Sequence, residues 1–101
     1  MTGQTTEQLR RCIQIARHGD TVHFVWASGL RHIRKQLMFL CRQMSVDALR
    51  MDDEDAVLVG RGRIHFHHHT KAPKRRYMPN ASHWLIADHK AQQLPVRAWE
   101  A

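Results

Sequence analysis

Long apolar runs are missing from this sequence of 101 residues. No stretch approaches the ~18 apolar residues that a membrane-spanning helix needs, and the N-terminal segment lacks the apolar core of a secretory signal. We therefore expect a cytoplasmic protein with no membrane partner. The length allows one compact domain, 1–101, and leaves no room for a second.

Cysteine is also scarce, with two in the chain. Cys12 and Cys41 both fall at positions predicted to face inward on helices, so we expect reduced, apolar core residues. A disulfide between them has no support in the sequence. No arrangement of serine, cysteine and histidine indicates a nucleophile, and no catalytic residue is assigned.

Acidic residues are few, with 9 Asp and Glu against 16 Lys and Arg, which gives a net charge of +7. Such an excess favours polyanionic partners, namely nucleic acid, anionic lipid or acidic proteins. The simpler interpretation is that the charge only maintains solubility. The run of acids at 52–55 lacks the Asp-x-Asp-x-Asp-Gly spacing of a calcium loop and predicts a solvated turn.

What is present is an alternation of helices and short apolar strands. Thr5 or Thr6 is predicted to cap a first helix that ends near Gly19, and Ser28 to cap a second helix. Strands are predicted for four segments, the middle two forming a hairpin around a glycine turn: 21–27, 56–59, 63–69 and 83–88. The fold class is therefore α/β, a single small domain with helices packed on a short, mostly parallel sheet that includes a β-hairpin.

The second helix is strongly amphipathic. Six apolar positions fall on one arc: Leu30, Ile33, Leu37, Leu40, Cys41 and Met44. Four basic positions fall on the opposite arc: Arg31, Arg34, Lys35 and Arg42. A charged outer face is usually just solvated, but this one contains no acid and is flanked by Met38 and Phe39, which indicates a partner surface.

The segment 70–82 is predicted to be a basic loop, because it contains two prolines and Asn80. It offers four cations and one aromatic ring: Lys71, Lys74, Arg75, Arg76 and Tyr77. Arginines can grip phosphates and tyrosine can stack on a base, although a mobile solvated loop has the same composition. The remainder, 90–101, is predicted to be a polar tail.

The histidines suggest a second kind of site. His65, His67 and His69 fall on one face of a predicted strand by its two-residue period. Three imidazoles are suitable ligands for zinc, but their Cβ atoms lie ~6.5–7 Å apart along a strand, so one ion needs help from His23, His83 or His89. A partly solvated, pH-sensitive surface is the alternative, and no cofactor is otherwise predicted.

The opening residues 3–6, GQTT, followed by a helix, resemble the end of a phosphate-binding loop. The strand 21–28, the hairpin 57–66 and the final segment SHWLIADHK then follow in the order found in P-loop NTPase cores of the helicase and phage-terminase kind. This resemblance implies that Gly3, Gln4, Thr5 and Thr6 form a residual anion site and that Asp88 matches the magnesium-side carboxylate. It extends over most of the chain in element order, but no motif is intact.

Three departures remove the chemistry that the resemblance would imply. Only two residues precede Gly3, so the first half of the loop has no counterpart in this sequence. Gln4 replaces the lysine that stabilises transferred phosphates, and His89 replaces the glutamate beside Asp88. A helix cap is the simpler interpretation of GQTT.

The sequence thus predicts a non-catalytic basic protein that engages nucleic acid or a nucleic-acid-handling complex. The resemblance alone adds a source, a phage or mobile-element accessory protein or inhibitor. The first alternative is a module, an inhibitor or virion component, that docks on an acidic protein surface. The second is a metal-dependent enzyme centred on the histidines.

Overall fold

The computed structural model describes residues 3–51, 55–71 and 83–88. Within them lie two helices and five strands: α1 (Gly3–Ala16), β1 (Thr21–Trp26), α2 (Leu30–Gln43), β2 (Ala48–Met51), β3 (Ala56–Val59), β4 (Gly62–His68) and β5 (His83–Ala87). The predicted tail 90–101 and most of the predicted loop 70–82 lie outside the described residues.

The five strands form one mixed sheet in the order β2-β3-β4-β1-β5. β1 lies parallel to both β4 and β5, whereas β2, β3 and β4 form an antiparallel meander. The register aligns His23 with His65 on one side and with Leu85 on the other. Side chains of aligned residues point to the same face of a sheet, so the strands define two distinct surfaces.

One face of the sheet carries the hydrophobic core. Val22 and Phe24 of β1 and Ile64 and Phe66 of β4 pack there against both helices. α1 contributes Leu9, Cys12, Ile13 and Ala16, and α2 contributes Ile33, Leu37, Leu40 and Cys41. The α/β fold class is confirmed, and the amphipathic pattern of α2 identified its buried side correctly.

Both predicted helix caps are wrong. α1 begins at Gly3, so Thr5 and Thr6 lie inside its first turns and their hydroxyls bond to other elements. α2 is preceded by Gly29 in the left-handed conformation (φ 75°), with no side-chain capping hydrogen bond. Glycine adopts this conformation without the steric penalty that a Cβ brings. Gly29 therefore occupies the capping position that was predicted for Ser28.

The hairpin between β3 and β4 is confirmed, with Val59 aligned with Gly62 across a two-residue turn. Gly60 there has φ 57°, which favours glycine. Gly62 is constrained by packing instead, because a Cβ at this position would lie 2.1 Å from the carbonyl oxygen of Asp20 and 2.3 Å from that of Ala16. The hairpin is thus fitted closely to the C-terminal end of α1.

β2 was not predicted from the sequence. Its residues, ALRM, alternate poorly in polarity, and all four are exposed or only partly buried. β2 pairs antiparallel with β3, so the sheet has two antiparallel pairings, β2 with β3 and β3 with β4. It also has two parallel pairings, β1 with β4 and β1 with β5. No helix in the described part of the chain is long and apolar enough to cross a membrane.

Candidate functional site

The outer face of α2 and the adjoining strands form a groove, here called the basic groove. It has a volume of about 570 Å³ and is lined by Leu30, Arg31, Arg34, Lys35, Met38, Phe39, Arg42, Arg50 and Val57. All four basic residues predicted on α2 therefore line one site. Arg50 joins them from β2, where its alignment with Val57 places it on the helix side of the sheet.

The cations of the basic groove are not equivalent. Arg34 pairs with Asp55, and its side chain is only 20% exposed. Its guanidinium also lies 6.0 Å from the ring centroid of Phe66, so it contributes to packing between α2 and β4. Arg31, Lys35, Arg42 and Arg50 are exposed and face solvent.

Two apolar side chains interrupt the positive charge. Phe39 is 56% exposed, among the most exposed large hydrophobic residues in the described part of the chain. Met38 is half-buried and packs against the core, so its predicted exposure is only partial. The basic groove therefore combines free cations with an aromatic ring, and no acidic residue is among the described residues that line it.

Sequence reasoning missed Arg50. Its segment, ALRM, gives no clear signal, because it alternates poorly in polarity and β2 was not predicted. In the fold, Arg50 lies on the same face of β2 as Ala48, which packs against the core. Arg50 is close to α2 only through the fold.

The predicted basic loop is described only at its start. Lys71 is exposed, and its backbone N–H donates to the carbonyl oxygen of His68 at 2.8 Å. Lys74, Arg75, Arg76 and Tyr77 lie outside the described residues, so their predicted role stays a prediction.

The N-terminal candidate residues are engaged within the fold. The Thr5 hydroxyl donates to Asp88 Oδ1 at 2.8 Å, and the Thr6 hydroxyl accepts a hydrogen bond from Gln36. Asp88 is 1% exposed and sits at the end of β5, where its backbone N–H donates to Val25. A carboxylate beside the first turn of α1 complements the positive end of the helix and opposes a second anion there. Gly3 and Gln4 open the helix, and their side-chain environment is outside what is described.

Four histidines meet on the sheet face opposite the helices, a group here called the histidine cluster: His23, His65, His67 and His83. His23 is central, since its Nδ1 lies 2.9 Å from His67 Nε2 and its Nε2 lies 3.0 Å from His83 Nδ1. Its ring also stacks on that of His65, with centroids 5.5 Å apart.

The cluster disfavours positive charge. Burial, together with the neighbouring imidazoles of His67, His65 and His83, lowers the pKa of His23 to about 4. Burial and His65 also lower the pKa of His67, which the carboxylate of Asp55 partly opposes. Each hydrogen bond between two of these rings needs one N–H, supplied by one ring of the pair.

The predicted zinc set is only partly brought together. His65 and His67 lie in the histidine cluster, but His69 lies past the end of β4, where its backbone N–H donates to Trp26 and its ring contacts that of His68. Across residues 3–51, 55–71 and 83–88, no group of three or more His, Cys, Asp or Glu side chains is placed to hold a metal ion. The repeat along a strand holds alternate histidines apart, which disfavours binding of one metal ion by all of them.

Comparison with known proteins gave no relative: no family model, curated protein or solved structure matches this chain. Function is therefore inferred from the geometry of the site.

Proposed function

We propose that this protein is a non-catalytic nucleic-acid-binding protein and that the basic groove holds the phosphate backbone. The observation that carries the proposal is the convergence of Arg31, Lys35 and Arg42 from α2 with Arg50 from β2 in a groove lined by no described acid. Phosphates are bound chiefly by such exposed Lys and Arg side chains, which release condensed counterions from the nucleic acid on binding.

The charge distribution around the groove supports this choice. Arg34 is paired with Asp55, so the most buried cation of the groove is neutralised. The other cations that line the groove are exposed and lie together on one surface, where a local concentration of positive charge attracts polyanions at long range.

Charge reversal on the groove, with a matched reversal elsewhere, tests the proposal. Fluorescence anisotropy with labelled DNA and RNA oligonucleotides would compare wild type, Arg31→Glu with Lys35→Glu, and Arg11→Glu with Arg17→Glu. The control pair lies on α1 and the turn that follows it; both residues are exposed, and the change in net charge is the same. Since reversal at the groove removes two contacts and adds repulsion, we expect at least about a tenfold loss of affinity there and a clearly smaller loss in the control.

Equal losses in the two double variants would show that only net charge matters and would contradict the groove assignment. Absence of binding to any oligonucleotide at low salt would contradict nucleic-acid binding altogether and favour an acidic protein partner. Arg75→Glu with Arg76→Glu tests the predicted loop in the same assay, because a loss there would add the loop to the interface.

A further inference from the structure

The lining of the basic groove differs from a surface that recognises phosphate alone. Four apolar residues line it together with the cations: Leu30, Met38, Phe39 and Val57. The outside of a duplex presents phosphates and sugars while its bases stay stacked inside, so it offers little that would cover an apolar wall. A ligand with accessible base faces meets both kinds of side chain at once.

Phe39 has the position that such a ligand requires. On α2 it lies four residues after Lys35 and three before Arg42, so its side chain neighbours both of these cations on the helix surface. With 56% of Phe39 exposed, the side chain is open to a planar group. A base stacked on this ring would have its flanking phosphates within reach of a cation on either side.

The cations form a short row that matches a single strand. Arg31 and Arg42 lie eleven positions apart on one helix, which corresponds to about 16 Å at 1.5 Å per residue. In a stacked helix the phosphates of one strand recur about every 3.4 Å along the helix axis, and they lie farther apart when the strand is extended. The row of cations therefore matches about three to five nucleotides.

We propose that the basic groove binds single-stranded nucleic acid, three to five nucleotides at a time, with one base stacked on Phe39. This inference rests on the proposed function and deepens it by naming the form of nucleic acid. Cations along α2 hold the backbone, while Phe39 and Met38 contact the base and exclude water from it. Stacking does not depend on base identity, so weak sequence preference is expected.

The test compares strand forms and removes only the ring. Anisotropy would be measured with single-stranded oligo-dT and oligo-U and with a DNA duplex, each about 12 nucleotides or base pairs long, within the range of small single-strand-binding domains. The proteins are wild type, Phe39→Ala and Phe39→Tyr. Circular dichroism checks that each variant is folded. We expect both variants to fold, because the Phe39 side chain is exposed.

We expect both single strands to bind more tightly than the duplex. Phe39→Ala should weaken single-strand binding about tenfold, whereas Phe39→Tyr, which keeps the ring, should retain it and duplex binding should not change with either variant. A difference between oligo-dT and oligo-U then shows which of these two single strands the groove prefers.

Two outcomes would overturn the inference, and they are distinguishable. Duplex binding as tight as single-strand binding, or single-strand affinity unaffected by Phe39→Ala, removes the single-strand assignment but leaves the proposed function if the charge reversals still weaken binding. No binding to any of the three oligonucleotides at low salt removes both proposals together.

Discussion

At the residue scale, the two faces of the sheet place polar groups in very different surroundings. Asp88 is a buried carboxylate held by a hydroxyl from α1, and His23 is a half-buried imidazole held between two other imidazoles. Both are polar groups that burial would penalise without these hydrogen bonds. Each therefore gives a specific prediction.

Stability should decrease as the pH falls through the range in which the histidine cluster resists protonation. The pKa of His23 is about 4 in the folded protein against 6.5 as the ordinary value, so between these two pH values the unfolded chain binds more protons. The free energy of unfolding then falls with falling pH, by about 1 kcal/mol between pH 7 and 5 for a half-exposed ring screened by solvent.

Urea denaturation at pH 7 and 5 measures this, and carboxylates remain largely ionised over that range. His23→Gln should reduce the pH dependence, since it removes the ring whose pKa differs between the folded and the unfolded protein. His18→Gln, at an exposed position, is the matched control and should leave it unchanged. A wild-type stability that rises on acidification would contradict the description of the cluster.

Removal of the Thr5 hydroxyl should destabilise the fold. Thr5→Val keeps the shape but deletes the hydrogen bond to the buried carboxylate of Asp88, at a cost of about 1.5–3 kcal/mol. Thr5→Ser retains a hydroxyl and should lose less. Chemical denaturation of the three proteins gives the comparison, and equal stability of Thr5→Val and wild type would show that this contact contributes nothing.

At the element scale, close packing between α1 and the hairpin fixes the position of the first helix on the sheet. Gly62 lets the start of β4 approach the carbonyl oxygens of Ala16 and Asp20, and Gly60 adopts the positive φ of the turn. α1, the hairpin and the parallel strands thus pack together as one continuous unit.

Gly62→Ala should be strongly destabilising. The added methyl group would meet two backbone oxygens at 2.1 and 2.3 Å, and neither belongs to a flexible side chain. Overpacking of this kind costs about 3 kcal/mol, because the strand or the helix end must move. Thermal unfolding of this variant beside Arg61→Ala, an exposed neighbour in the same turn, measures the effect; similar melting temperatures would contradict the close packing.

The sequence predicted most elements but not how they meet. The apolar arc of α2, the strand from Thr21 and the glycine turn of the hairpin each follow from local patterns of period 3.6 or 2. The contribution of Arg50 to the basic groove and of His23 and His83 to the histidine cluster depends on which strands become neighbours. That order is set by tertiary packing, which short-range periodicity does not encode. The wrong cap of α1 has the same cause, since Thr5 and Thr6 bond to distant residues instead of their own helix.

At the scale of the whole molecule, the sheet separates two polar surfaces. The basic groove lies on the helix side, and the histidine cluster lies on the opposite side. The pKa of His23, about 4, keeps this central ring of the cluster uncharged between pH 7 and 6. Over this range His23 therefore adds no positive charge to the face opposite the basic groove.

The salt dependence of oligonucleotide binding tests the central claim most directly. Among the described residues that line the basic groove, four cations are exposed: Arg31, Lys35, Arg42 and Arg50. If they contact about four phosphates of a single strand, the logarithm of the association constant should fall against the logarithm of salt concentration with a slope of about −3. Anisotropy titrations of wild-type protein with oligo-dT at several salt concentrations give this slope. A slope near −3 that becomes shallower in Arg31→Gln with Lys35→Gln is the result predicted here, whereas a slope near zero, or one unchanged in that variant, would contradict binding of phosphates by the basic groove.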